Sequence, residues 1–147
     1  ARSSAEQYGL RFGDGLRIYV DAQQQRLVLE RHYPQYGLCG TRSVPLTAGA
    51  DLNLRIFFDS SSVEVFVNDG EACLSSRIYP QAPCRELALF AWSGSNQKNS
   101  TEIFICCLAS AAPLLAWSLF TLGSLPRPLH ADVCMTPIKA ACRCRCP

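Results

Sequence analysis

Clusters of like charge are missing from most of this chain. Lysine and arginine total 14 against 12 aspartates and glutamates, the net charge is +2, and no basic run precedes the C-terminal tail. Gripping a phosphate backbone takes several cationic side chains together, so nucleic acid is not an expected partner. Histidine is scarce: His32 falls in a predicted loop and His130 in the tail. Neither has a cysteine or carboxylate at ligand spacing in the sequence, which gives a metal or general-base role little weight. No glycine-rich loop leads into a helix, since Gly13-Asp14-Gly15 reads as a turn, and no cofactor is expected. Met135 is the one methionine and the chain opens on Ala1, which leads to the expectation of a fragment of a longer protein. The opening ARSSAEQYGLRF lacks the charged-then-apolar layout of a secretion signal.

Cysteine is plentiful but unevenly placed. Of nine, Cys39, Cys73 and Cys84 are scattered singly, whereas Cys106, Cys107, Cys134, Cys142, Cys144 and Cys146 crowd the last 42 residues. The first group reads as free thiols in a reducing compartment, so a cytoplasmic location is expected. Cys142-Arg143-Cys144-Arg145-Cys146 does not have the spacing of zinc knuckles, and no metal site is assigned to it.

Period-two alternation dominates the middle of the chain. In LNLRIFFDSSSVEVFVNDGEACLSSRIYP, residues 52–80, Leu54, Ile56 and Phe58 share one face of a predicted strand and Val63, Val65 and Val67 one face of the next. A loop over residues 59–62 sets Phe58 against Val63, Ile56 against Val65 and Leu54 against Val67. Both apolar sets then fall on the same side. Asn68-Asp69-Gly70-Glu71 carries the Asp-Gly of a type I′ turn and pairs Val67 with Ala72 and Val65 with Leu74. The product is a β-meander with one buried face.

Residues 8–12 and 16–20 form a predicted hairpin about Gly13-Asp14-Gly15, and residues 26–30 a further strand. Residues 31–42 hold Pro34, Gly37 and Gly40 and are expected to loop from one sheet to another. Residues 44–46 begin an edge strand, where Pro45 forfeits no ladder bond, and residues 86–92 make one more. About seven short strands so spaced suit an antiparallel sandwich. The expected fold is all-β, an antiparallel, jelly-roll-like β-sandwich over residues 1–100 that is incomplete at both ends.

Residues 101–147 change character. No charged side chain occurs over 103–126, and IFICCLASAAPLLAWSLFTL, residues 103–122, has the length of roughly 20 that a transmembrane helix needs. Pro113 in mid-run and the strand-like Ile103-Phe104-Ile105 count against a membrane span. Residues 126–147 hold four prolines and four cysteines without apolar period. The tail is therefore expected to be irregular or helical, as after a frameshift or a fusion.

The run LRIFFDSSSVEVFVNDGEACLSSRIYP, with RLVLERHYPQYGLCGTRSVPL upstream, resembles the C-terminal β-sandwich of glycoside hydrolase family 32, the invertases and sucrose-6-phosphate hydrolases. The resemblance spans residues 8–95 or so. In that family the sandwich accompanies a β-propeller that holds the catalytic residues. The resemblance thus implies a truncated β-fructofuranosidase, a sucrose-cleaving glycosidase, whose partner would be that propeller, with self-association as a second class of contact. Hydrolysis by this route needs two facing carboxylates. The family draws its nucleophile from an Asn-Asp-Pro-Asn-Gly type motif, its acid from Glu-Cys and a stabilising aspartate from Arg-Asp-Pro, and none occurs here. Asn68-Asp69-Gly70 and Glu71-Ala72-Cys73 are lookalikes on a turn and a strand. No catalytic residue is expected.

The remaining candidates are weighed against plainer roles. Asp59 suits a hairpin loop, Asp14 and Asp21 flank turns, and Glu64 lies diagonally across from Arg77 as a solvated ion pair would. Tyr33 and Tyr36 are the expected carbohydrate-binding rings if the sandwich binds sugar on its own; Tyr79 and Trp92 are weaker candidates, with packing the expected fate of Trp92. A membrane-anchored sandwich through residues 103–122 is the remaining alternative.

Overall fold

Eleven strands run through the residues that the computed structural model describes, which are 6–49, 51–79, 87–92, 101–105, 116–122 and 129–135. They are β1 (Gln7–Phe12), β2 (Leu16–Asp21), β3 (Arg26–Tyr33), β4 (Leu38–Pro45), β5 (Leu52–Phe58), β6 (Ser62–Val67), β7 (Ala72–Arg77), β8 (Leu87–Trp92), β9 (Thr101–Ile105), β10 (Ala116–Leu122) and β11 (Leu129–Met135). One sheet has the order β4-β3-β2-β1-β8-β9 and the other β10-β11-β5-β6-β7. No α-helix occurs among the described residues. The all-β sandwich is therefore the fold, and its pairing is mostly antiparallel.

The meander adopts the register that its alternation dictates. Phe58 faces Val63, Ile56 faces Val65 and Leu54 faces Val67, while β7 sets Ala72 against Val67 and Leu74 against Val65. The type I′ turn is realised too. Asp69 (φ 56°, ψ 26°) and Gly70 (φ 101°) take the positive φ values it requires, and the Glu71 amide donates to the Asn68 carbonyl at 3.4 Å. The Asn68 side chain completes the corner, accepting from the Asn53 amide at 3.1 Å and donating to Glu71 at 2.9 Å.

The inner faces of the two sheets make one core. Leu52, Leu54, Ile56 and Phe58 meet Leu10, Phe12, Ile18, Leu27, Leu29 and Leu87 in a single cluster. Phe12 and Phe58 stack across the gap with centroids 4.4 Å apart. Burying each such aliphatic side chain is worth about 1.5–3 kcal/mol, which is why the alternation locks the register.

Two stretches differ from the sequence expectation. Residues 31–42 do not cross between sheets; β3 and β4 form a hairpin, with Tyr33 paired to Leu38. Pro34 starts a single 3-10 turn over Pro34–Tyr36, and Gly37 (φ 65°, ψ 19°) closes it in the left-handed region, its amide donating to the Pro34 carbonyl at 3.0 Å. Proline at the head of a helical turn and glycine at its end reverse the chain rather than send it away. The tail differs as well. Where an irregular or helical segment was expected, β9 joins β8, and β10 pairs with β11, which runs parallel to β5. Leucine, alanine and valine alternate with polar residues through Leu129–Met135, and Ala131 and Val133 are buried opposite Leu54 and Ile56. No helix among the described residues is long and apolar enough to cross a membrane.

Candidate functional site

Tyr33 and Tyr36, the rings expected to meet a sugar, lie just before the 3-10 turn and at its last residue, and have different surroundings. Counting by twos from Leu27 through Leu29 and Arg31 puts Tyr33 on the inner face of β3, where it is 4% exposed. Gly15 makes room for it, since a Cβ there would lie 2.1 Å from the ring. Burial pushes the Tyr33 phenol above its usual pKa, partly opposed by a backbone hydrogen bond with Tyr79. Tyr36, the last residue of the turn, is 50% exposed and stacks on Tyr79 with centroids 4.3 Å apart. Tyr79 in turn meets Tyr33 edge-on at 6.0 Å. The rings form a stair from core to surface, with Tyr36 outermost.

The carboxylates singled out in the sequence are engaged in turns or lie on the surface. Asp21 Oδ1 accepts from the Gln23 and Gln24 amides at 3.0 and 2.9 Å, Asp59 Oδ1 accepts from the Ser60 amide at 2.7 Å, and Asp14 pairs with Arg11 at 3.3 Å. Glu64 faces Ser75 and Arg77 faces Ser62, the diagonal placement expected. Among the described residues, no group of three or more His, Cys, Asp or Glu could hold a metal ion. Residues 142–146 lie outside the described residues.

Sequence reasoning overlooked an outer layer on the six-stranded sheet. Arg17 and Tyr19 alternate with Leu16, Ile18 and Val20, so they point away from the core, as do Ala88, Phe90 and Trp92 on β8. Arg17 donates to Glu30 at 2.6 Å and lies 5.8 Å from the Tyr19 ring centre and 5.2 Å from that of Trp92. Phe90 packs on Trp92 at 5.0 Å and on Tyr19 at 6.2 Å. Ala88, Phe90 and Val28 are buried although they face outward. Burial, then the negative charge of Glu30, pushes the Tyr19 phenol up, while Arg17 acts in the opposite sense. The same period-two count that located the core would have located this layer.

His32 does not stand alone in a loop, as its sequence context suggested. It is on β3 directly opposite Cys39 of β4, with Nδ1 and Sγ 3.8 Å apart, and both side chains are exposed. Cys39 and Cys73 are free thiols.

A model of the C-terminal domain of glycosyl hydrolases family 32 matches residues 1–105. The raffinose invertase of Escherichia coli is 64% identical over 92 residues, which are 63% of this chain and 19% of that protein. The sucrose-6-phosphate hydrolase of Escherichia coli is 61% identical over 92 residues, with the same shares covered. A sucrose-6-phosphate hydrolase of Zymomonas mobilis is 36% identical over 102 residues, covering 63% of this chain and 20% of that protein. The chain therefore spans about a fifth of the length of the curated relatives it matches.

Proposed function

This chain belongs to glycosyl hydrolase family 32, through that family's C-terminal domain, and on that basis we propose that it is the non-catalytic sandwich of a β-fructofuranosidase. Its task in this reading is to pack on the catalytic domain and stabilise it. The match over residues 1–105 carries the proposal, together with relatives that are named raffinose invertase and sucrose-6-phosphate hydrolase. The carboxylates engaged in turns fit a structural role. The choice among sucrose, its 6-phosphate and fructan belongs, in this reading, to the catalytic domain. A cytoplasmic location is proposed on the exposed free thiols.

Two experiments test the proposal. The purified chain alone is expected to release no fructose from sucrose, and enzymatic release by this chain would refute a non-catalytic role. Residues 1–105 grafted in place of the matching domain of the Escherichia coli raffinose invertase are expected to give a folded, active enzyme. A chimera that folds no better than the invertase with that domain deleted would refute the stabilising role.

A second reading, a carbohydrate-binding sandwich, rests on Tyr36, which is half exposed and held flat by Tyr79. Aromatic faces of this kind stack on sugar rings. Saturable binding of fructan that is lost in Tyr36→Ala would support it, and no binding at millimolar ligand would end it.

A further inference from the structure

We propose that Cys39 is a thiol-exchange site for small disulfides, with His32 as its proton acceptor. The proposal rests on the β3–β4 hairpin and not on the family assignment. Three observations carry it. The hairpin register makes His32 and Cys39 direct cross-strand partners, and their side chains, on the outer face of the sheet, place Nδ1 3.8 Å from Sγ. Both residues are exposed, Cys39 on the edge strand β4 and His32 on its neighbour β3, so a reagent reaches the sulfur without any rearrangement. Cys73, the other exposed free thiol among the described residues, is on β7 opposite Phe66, with no base across from it.

A thiol is a poor nucleophile until it loses its proton, and a base within reach takes that proton as the sulfur attacks. In the tautomer with its proton on Nε2, Nδ1 of His32 is the acceptor. The Cys39 proton passes to Nδ1, Sγ attacks one sulfur of the disulfide, and the reagent's S–S bond breaks as the new Sγ–S bond forms. The departing thiolate takes a proton from the imidazolium, so one disulfide and one thiol yield one disulfide and one thiol. The nearby charged groups on this face are Glu30, two residues before His32, and Arg17 of β2, joined to each other by their ion pair. Thr41 and Ser43, the residues of β4 on the same face, are uncharged.

The test uses the full chain and 5,5′-dithiobis(2-nitrobenzoate) as the disulfide, with labelling at each cysteine peptide followed by mass spectrometry at pH 7. A well-positioned buried base contributes about 10²–10⁴-fold, and an exposed pair open to water is expected to give less, about tenfold for Cys39 over Cys73. His32→Gln, an exposed change that leaves the hairpin pairing in place, is expected to bring the Cys39 rate down to that of Cys73. In concentrated urea, where the hairpin is lost, the wild-type difference is expected to vanish. Equal rates in the folded chain would overturn the proposal. So would an unchanged ratio in His32→Gln, or a difference that survives in urea.

Discussion

The outward faces of the two sheets differ more than their shared core suggests. On the five-stranded sheet, Asn53, Arg55, Glu64, Cys73, Ser75 and Arg77 face solvent and are exposed, with Phe57 and Phe66 meeting edge-to-face 5.8 Å apart among them. On the six-stranded sheet, Val28, Ala88 and Phe90 are buried, and Phe90 packs on Tyr19 and Trp92 beside the Arg17–Glu30 pair. Over β5, β6 and β7 the outward face is an ordinary wet side, and over β1, β2, β3 and β8 it is a second apolar layer. Strand β8, LALFAW, shows the cause: it is apolar on both faces, with Leu87, Leu89 and Ala91 on one and Ala88, Phe90 and Trp92 on the other.

Large-to-small substitutions give the widest separation. Phe90→Ala is expected to cost about 3–5 kcal/mol, as a buried aromatic does, whereas Phe66→Ala is expected to cost about 1 kcal/mol. Urea midpoints of the two variants measure this, and equal losses would erase the distinction between the faces. Gly9→Ala comes next. Gly9 sits between Tyr19 and Phe90 on the outer face, and a Cβ would lie 2.1 Å from the Ile18 carbonyl oxygen and 2.6 Å from the Tyr19 Cα. Backbone atoms yield little, so a loss of about 1–3 kcal/mol is expected, against less than about 0.5 kcal/mol for the exposed Ser75→Ala. A silent Gly9→Ala would mean that β1 and β2 stand farther apart than described.

Smaller, but aimed at the same contrast, is Arg17→Met. It removes a part-buried ion pair and two ring contacts, together worth about 1–2 kcal/mol, while Arg77→Ala on the opposite outer face is expected to change stability by less than about 0.5 kcal/mol. Thermal or urea unfolding of the pair decides it. If adding salt weakens the wild type as much as Arg17→Met does, the coupling is an exposed one and the layer is less enclosed than its burial indicates.

Much of this was legible in the sequence, and what was not has identifiable causes. The register of β5, β6 and β7 could be read because a one-residue slip would turn Ile56 and Val65 out to water together. The β3–β4 hairpin was missed because Pro34 and Gly37 are helix-turn residues as well as breakers, and composition does not say which. Tyr33 and Tyr36 looked equivalent as residues of one loop, yet parity along β3 puts the first in the core. Strand β10 was hidden in an apolar stretch where length alone favours neither strand nor helix, and β11 was hidden among the prolines and cysteines of the tail, where the alternation of Leu129, Ala131 and Val133 is short. His32 and Cys39 are seven apart in sequence, a spacing that means nothing until the turn between them is known.

Alkaline pH offers a gentler way to sharpen the contrast between the faces. Strands β5, β6 and β7 hold no tyrosine, whereas Tyr19 lies in the outer layer of the other sheet with its phenol pushed above the ordinary value by burial and by Glu30. A phenol is neutral while it keeps its proton. Below a pH of about 10 the folded and unfolded chains both keep it, and the contribution of Tyr19 to stability is constant. Above that, the unfolded chain ionises first while the fold still holds the proton, so the unfolded state binds fewer protons and stability falls as pH rises toward the folded pKa. Tyr33, raised by burial in the core, acts in the same direction. The urea midpoint is therefore expected to drop between pH 8.5 and 11, and to drop less in Tyr19→Phe, with the Tyr33 share remaining. An identical fall in Tyr19→Phe would place the whole effect in the core and leave the outer layer as open to water as the face opposite.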